Sequence, residues 1–315
     1  MLNTGTNLQI PILHGRWTAE NRTAIEQLLT RSYPEPPIAV FDWDNTCIYR
    51  DIGDATFHSL AADLGFKFDA PGFWDWVTEA APIDFASAAY EAYRRRPNPD
   101  THHCLRLAFE RGRKAYYDGM DDNSACAWDA GAFLGWRFSD AREYARQVML
   151  RELAHPLTAE VYEYEGTRIE ILQGIRVRPE MQELVRVMQQ VGWQVWVISA
   201  SPQWVVEPFA ELYGIPANRV VALRRALVDG RMTRAVEPPV SFSDGKLDAY
   251  RMFVDAHRPP WFAAGDSVYD WKLLEWAEGG RLLVEPTHPR LRTYAQWQKS
   301  LGAPWLVQEF CAPHI

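Results

Sequence analysis

Apolar positions recur along this chain with two different periods, and the change between them divides it. The stretch TAENRTAIEQLL at 18–29 has helical spacing, with Thr18 or Asn21 placed to cap it, and SYPEPP at 32–37 breaks it. The apolar run Ile38-Ala39-Val40-Phe41 then stops abruptly at Asp42, the pattern of a buried parallel strand whose carboxyl end opens onto a site. From 48 to 165 the spacing predicts no strand. Segments near 57–64, 73–80, 85–95, 104–117 and 141–153 read as helices, punctuated by Pro82, Pro97, Pro99, Gly119 and Pro156. Alternation of strand and helix then resumes. Helices are expected at 179–190, 204–212, 247–256 and 273–277, and strands at 193–198, 220–223, 261–264 and 281–284, the last being the final strand. An Asp-Gly hairpin is expected at 228–232.

A long helical stretch between two strand signals reads as an insertion rather than a tandem domain. The expected fold is α/β, a parallel-sheet core formed by 1–47 and 166–315 with an all-helical cap domain at 48–165. The length, 315 residues, suits two domains or one with a large insertion.

Composition narrows the picture. There are 33 Lys+Arg against 41 Asp+Glu, a net charge of −8, which argues against a nucleic-acid partner because phosphate contacts need clustered cations. No apolar run is long enough to span a membrane, and MLNTGTNLQIPILHGRW lacks the basic start and apolar core of a secretory signal, so a cytoplasmic location is expected. Cys47, Cys104, Cys126 and Cys311 are widely spaced and form no CxxC, which suits free thiols in a reducing compartment. His102-His103-Cys104 has no second ligand group at a usable spacing for zinc. Aromatic content is high, with 14 Trp, 13 Tyr and 14 Phe; these rings either pack the core or line a pocket.

Three strand ends carry polar groups that an apolar core would not choose: Asp42 with Asp44, Ser199, and Asp266 with Asp270. In a parallel sheet such ends converge on one edge. Carboxylates gathered there repel one another unless a cation sits among them, and all-oxygen ligation favours Mg²⁺.

FDWDNT at 41–46, ISAS at 198–201, Gly245-Lys246 and GDSVYD at 265–270 resemble, in order, the four signature motifs of the haloacid-dehalogenase-like (HAD) superfamily. The resemblance covers roughly 36–50 and 166–290 and implies a Rossmann-like core. Within the superfamily the chain is similar to the phosphoserine-phosphatase-like branch, in which a helical cap follows the first motif. WTAENRTAIEQLL before FDWDNTCIYR is similar to the phosphorylcholine phosphatases. The resemblance implies a phosphomonoesterase in which Asp42 is the nucleophile, forming an aspartyl-phosphate, and Asp44 is the general acid and base. Thr46, Ser199 and the backbone around Ala200 would bind phosphate, and Lys246 would neutralise charge. Asp266 would hold Mg²⁺ with the Asp42 carboxylate and the Asp44 carbonyl, and Asp270 would steady the metal's waters or Lys246. The second aspartate of the DxD favours phosphoryl transfer over dehalogenation, since an alkoxide leaving group benefits from a proton donor and a halide does not.

A helical cap that closes over the site suits a small phosphate ester, such as an amino-alcohol phosphate or a phosphoserine-like compound. Trp43, Trp74, Trp76, Trp128 and Tyr90 are candidates for a cation–π cage, with Asp54 as counter-charge where phosphorylcholine phosphatases use a glutamate. Ser201 reads as the cap of the following helix. Arg94-Arg95-Arg96 with Arg111, Arg113 and Lys114 is either a solvated face or an attractor for a second anionic group. Two other functions remain open: a phosphatase acting on phosphotyrosine or another protein-borne phosphate, and a non-catalytic binding protein on the same fold.

Overall fold

The computed structural model describes residues 12–79, 84–119, 122–286 and 288–310. In chain order the strands are β1 (Ile38–Phe41), β2 (Ile48–Tyr49), β3 (Thr158–Tyr164), β4 (Thr167–Gln173), β5 (Arg176–Val177), β6 (Gln194–Pro202), β7 (Val220–Val228), β8 (Arg231–Glu237), β9 (Phe262–Gly265), β10 (Gly280–Val284) and β11 (Trp305–Gln308). The helices are α1 (Ala19–Thr30), α2 (Ile52–Ala62), α3 (Phe73–Thr78), α4 (Ser87–Arg95), α5 (Pro99–Gly119), α6 (Asp122–Asp129), α7 (Phe138–Ala154), α8 (Pro179–Gln190), α9 (Gln203–Ala210), α10 (Asp244–Phe253), α11 (Trp271–Trp276) and α12 (Pro289–Ser300).

Seven strands form the central sheet in the order β11-β10-β9-β1-β6-β7-β8. All neighbours are parallel except β7 and β8, which are antiparallel. Period-two alternation along β1 explains its continuous apolar run. Ala39 and Phe41 join one core cluster with Leu184 and Met188 of α8 and Phe209 of α9, while Ile38 and Val40 join another with Tyr250 of α10 and Leu273 of α11. The chain runs outward from β1 through β6 and β7, then returns to lay β9 on the other side of β1. That reversal makes the carboxyl end of β1 the switch point where such sheets bind ligands.

The insertion leaves and re-enters the core through a short neck, β2 paired antiparallel with β5. It contains α2 to α7, and the expectation of no strand across 48–165 fails at two places: β2, and the β3–β4 hairpin, whose turn at Glu165-Gly166 coincides with the expected domain boundary. Alternation in β3 and β4 places Ile169 and Ile171 against Leu107 of α5 and leaves Glu163, Arg168 and Glu170 in solvent. Because the outer face mixes these charges with the exposed Val161 and Leu172, no clean alternation or apolar run marks the hairpin. The core also has one strand beyond the expected last one: β11 forms the sheet edge after α12. Cys311 and the first eleven residues of the polar lead-in lie outside the described residues.

The cap is tied to the core at two further places. Helix α7 packs along α9, where Arg142 pairs with Glu207 at 2.9 Å and also with Glu211. The β7–β8 hairpin holds the cap loops, with Gly135 N–H donating to Met232 O at 3.0 Å and Met232 N–H to Trp136 O at 2.9 Å. Leu184 is fully buried in the face of α8 that covers β6. Leu184→Ala is expected to lower the unfolding free energy by about 2–5 kcal/mol. Urea denaturation should show this as a lower midpoint with an unchanged m-value.

Candidate active site

Register brings the strand ends together. Phe41 lies level with Val197 of β6 and Ala264 of β9, and Asp42 N–H continues the ladder to Ala264 O at 2.9 Å. Asp42, Ser199 and Asp266 therefore emerge at one edge. Between this edge and the cap lies a cleft of about 420 Å³, lined from the core by Asp42, Asp44, Asn45, Ser199, Ala200, Ser201, Phe242, Lys246, Asp266, Ser267 and Tyr269. Its cap-side lining is Asp51, Asp54, Phe57, Tyr117, Cys126, Asp129 and Phe133.

Lys246 organises the core wall. Its Nζ donates to Asp42 Oδ1 at 2.6 Å and to Asp270 Oδ1 at 2.5 Å, with all three side chains buried. Burial works to lower the Lys246 pKa, but Asp270 and Asp42 outweigh it and hold the amine above its usual range. Two glycines make this possible. A Cβ on Gly245 would sit 1.8 Å from Val240 O, so the turn that puts Lys246 in the first turn of α10 has no room for a side chain. A Cβ on Gly265 would lie 2.5 Å from Cβ and Cγ of Asp270, whose carboxylate crosses that space to reach Lys246.

Asp42 Oδ2 accepts from Thr46 Oγ1 at 2.9 Å, and the same hydroxyl lies 3.4 Å from Asp266 Oδ1. Burial raises the pKa of Asp42 against the opposing pull of Lys246. Asp266 is raised well above the usual carboxylate range, by burial first and then by repulsion from Asp270 and Asp42. Oxygens of Asp42, Asp266 and Asp270 fall within 4.8 Å of one another. Crowded, dehydrated carboxylates of this kind fit a hard divalent cation. Asp270 contributes differently from the other two. Its Oδ1 is taken by Lys246, and its Oδ2 accepts from Asp266 N, Ser267 N and Ser267 Oγ at 3.0–3.1 Å. Asp270 thus anchors Lys246 and the 265–267 turn with four donors on its two oxygens, whereas Asp42 accepts one donor on each oxygen and keeps lone pairs for a metal beside Asp266. The Asp44 carboxylate is engaged elsewhere.

Asp44 Oδ1 accepts from Ile52 N at 2.8 Å and Oδ2 from Ser201 Oγ at 2.7 Å. Burial is the main cause that pushes its pKa up to about 7, against these two hydrogen bonds. That value suits a group that gives and takes a proton near neutral pH. Ser201 does not cap α9, whose N-cap is Pro202 without a side-chain bond; it holds Asp44. The bulge in β6 between Ile198 and Pro202 carries Ser199 and Ser201 into the cleft, and Ser199 Oγ accepts from Ser201 N at 3.1 Å. Ser241, fully buried, donates to Ser199 O at 2.6 Å. Neither the bulge nor Ser241 has a sequence signature.

The aromatic cage does not form from the expected rings. Trp43 alternates with Asp42 and Asp44 and so points away from the cleft; it is fully buried edge-on to Phe209 and Tyr213 at 5.8 and 5.0 Å. Trp43 is therefore removed from the substrate-binding set. Trp76 and Trp128 stack at 4.6 Å inside the cap, each ring N–H donating to the other's carbonyl, and Trp74 packs on Tyr90 at 4.9 Å. The rings lining the cleft are Phe57, Tyr117, Phe133, Phe242 and Tyr269.

Asp54 does line the cleft, but Arg113 binds it together with Asp129, whose two oxygens lie 2.7–3.0 Å from the guanidinium. Burial works to raise the Asp54 pKa, yet Arg113 and His58 bring it below the usual range. Asp51 caps α2 by accepting from Asp54 N at 2.9 Å. It is raised well above its usual range by burial, then by Asp44 and Asp54. The expected basic patch is largely paired: Arg94 with Glu91, Arg111 with Glu165, Arg113 as described, and Lys114 with Asp118.

A parallel α/β sheet with a cap inserted after its first strand, and a lysine–carboxylate cluster at the carboxyl edge, defines the class of protein. Residues 122–275 match the family model described as haloacid dehalogenase-like hydrolase. That stretch is just under half of the chain, and over it the chain is similar to the HAD-like hydrolases. Among solved structures, it is similar to a conserved protein of unknown function from Anaerococcus prevotii, at 19% identity and TM-score 0.80, covering 95% of this chain and 94% of that one. It is also similar to a protein of unknown function from Bordetella pertussis, at 20% identity and TM-score 0.56, covering 86% and 96%. A comparison with curated proteins found no match.

Cys126, on the cap wall, has its thiol pushed up to about 12 by burial first, then by Asp129 and Asp51. The thiolate is the reactive form. At pH 8, iodoacetamide should modify the exposed Cys104 at least about tenfold faster than Cys126, followed by peptide mass spectrometry, and Cys126 labelling should accelerate as pH rises. Equal rates at pH 8 would contradict this electrostatic description of the cleft.

Proposed function

We propose that the chain is a Mg²⁺-dependent phosphomonoesterase that works through an aspartyl-phosphate on Asp42. The observation that carries this reading is the pairing of two unlike carboxylates in one cleft: Asp42, held by Lys246 and Thr46, and Asp44, held by Ile52 N–H and Ser201 with a pKa near 7. The match of residues 122–275 to the haloacid dehalogenase-like hydrolase model supports it.

Asp42 attacks phosphorus, and the bond to the ester oxygen breaks. Asp44 gives its proton to that oxygen, and the alcohol leaves neutral. Asp44 then takes a proton from water as the water attacks the aspartyl-phosphate, and phosphate and the Asp42 carboxylate are restored. Ser199, the backbone at Ala200 and Thr46 hold the phosphoryl oxygens. Lys246 balances charge on Asp42 and on the transferring group. A metal held by Asp42, Asp266 and the Asp44 carbonyl would supply further positive charge at the phosphoryl oxygens.

The substrate we propose is a small phosphorylated metabolite, with an amino-alcohol phosphate such as phosphorylcholine favoured over a phosphoserine-like ester. Lys246 is the one basic side chain among the described residues lining the cleft, whereas the cap side presents Asp51, Asp54 and Asp129 beside Phe57, Tyr117 and Phe133. An alcohol bearing a cation meets ring faces there and the excess negative charge of Asp54 and Asp129 over the single Arg113, while a substrate carboxylate meets no free cation. The volume under the cap suits a small ester better than a phosphorylated protein segment. The same reading places the enzyme in the cytoplasm, acting on soluble esters rather than nucleic acid or membrane. The net charge of −8 is in keeping with the former, and among the described residues no helix is long and apolar enough to cross a membrane.

p-Nitrophenyl phosphate should be hydrolysed with Mg²⁺ and not in EDTA, with recovery on adding Mg²⁺ back. Asp42→Asn should remove turnover, and Asp44→Asn should lower kcat by about 10²–10⁴-fold. Persistence of full activity in Asp42→Asn would refute the mechanism. On a metabolite panel, phosphorylcholine should show a higher kcat/KM than phosphoserine or glycerol phosphate; the opposite order would remove the amino-alcohol reading and leave the phosphatase intact.

A further inference from the structure

Arg178 is a buried cation that the chemistry above does not use. It stands between β5 and α8, its side chain 4% exposed, and it does not line the cleft. Its guanidinium meets Glu285, directly after β10, through two parallel bonds, Nη1 to Oε1 at 3.0 Å and Nη2 to Oε2 at 2.9 Å. The remaining donors turn to the segment that follows the nucleophile. Nη2 reaches Asn45 O at 3.2 Å and Nε reaches Ile48 O at 3.3 Å, while the Arg178 backbone N–H reaches Cys47 O at 3.3 Å. The rings of Tyr49 and Phe310 lie 5.5 and 5.8 Å from the guanidinium carbon.

This segment has an unusual path. Asn45 (φ 56°) and Arg50 (φ 73°) are both in the left-handed region. Asn45 N–H donates to Arg50 O at 3.2 Å, and Cys47 and Ile48 N–H both turn back to Trp43 O. Non-glycine residues keep such a conformation only where their surroundings hold it. Among those surroundings, Arg178 gathers three of the segment's carbonyls on one residue. Because each peptide is planar and trans, fixing the carbonyls of Asn45, Cys47 and Ile48 also fixes the planes of the peptides that follow. The same few residues carry Asp44 and Thr46.

We propose that Arg178, oriented by Glu285, is a positioning residue that holds the 43–50 loop so that Asp44 and Thr46 keep their places beside Ser201 and Asp42. Its kinetic consequence rests on the phosphomonoesterase reading; its structural consequence does not. A lysine keeps the charge but cannot reproduce the planar fork that serves Glu285 and two carbonyls together. A shift of about 1 Å at a reacting group is enough to cost about 10²-fold in rate.

The test uses the full chain as Arg178→Lys and as the milder Glu285→Gln. Hydrogen exchange by mass spectrometry should show faster exchange in peptides covering 43–50, with β6 peptides unchanged. With p-nitrophenyl phosphate and Mg²⁺, kcat should fall about 10–100-fold in Arg178→Lys and less in Glu285→Gln, with KM within about threefold of the parent. The proposal is overturned if exchange at 43–50 matches the parent, if β6 peptides exchange faster in step with it, or if KM rises while kcat stays. A parent protein that hydrolyses no ester would refute the phosphatase reading, and exchange at 43–50 would still decide for or against the clamp.

Discussion

The buried contact of Lys246 with Asp42 and Asp270 is the interaction on which the rest of the site depends. One ammonium between two buried carboxylates leaves a net negative charge, and its repulsion adds to burial in raising the pKa of the neighbouring Asp266. Such a cluster is costly to desolvate and is a poor way to gain stability. What it provides is placement. The ammonium holds Asp42 at the sheet edge, Asp270 holds the ammonium, and Gly245 and Gly265 leave room where a Cβ would meet Val240 O and the Asp270 side chain. The residual negative charge is what makes a divalent cation fit.

The two halves of the cleft deal with charge by different means. On the core side, carboxylates are balanced by Lys246 and by backbone N–H groups at the ends of β1 and β9. On the cap side, Arg113 joins Asp54 and Asp129 while stacking near Phe57 and Tyr117, and this binds α2, α5 and α6 into one wall. The 43–50 loop links the halves: it begins directly after Asp42, passes over Arg178 and ends in the neck strand that enters the cap. Chemistry and cap attachment therefore share one short segment, so a disturbance at the neck is a disturbance at Asp44.

Reading by residue pattern worked where one element decides the outcome. The run Ile38–Phe41 is buried on both faces and ends at a charge, and β1 has those bounds. Pro179 at the first turn of α8 likewise marks that helix start. It worked less well where a neighbour decides. The β3–β4 hairpin mixes charged and apolar residues on its outer face and needs α5 to cover the inner one. Ser201 is equally suited to capping a helix or to holding a carboxylate, and only the bulge in β6 aims it at Asp44. The many tryptophans carry no label that separates cap core from cleft wall.

By itself the sequence determined the order of strand and helix, the insertion after the first strand, and the polar residues at the strand ends. These follow from local periodicity and from burial that no carboxylate accepts without a partner. The tertiary structure alone decided that Trp43 faces the core, that Asp270 gives its oxygens to Lys246 and three further donors, that Arg113 pairs with Asp54 and Asp129, and that Arg178 gathers three carbonyls of the 43–50 loop. Each of these depends on which groups from distant parts of the chain arrive within hydrogen-bond reach, and no period along the sequence encodes that distance.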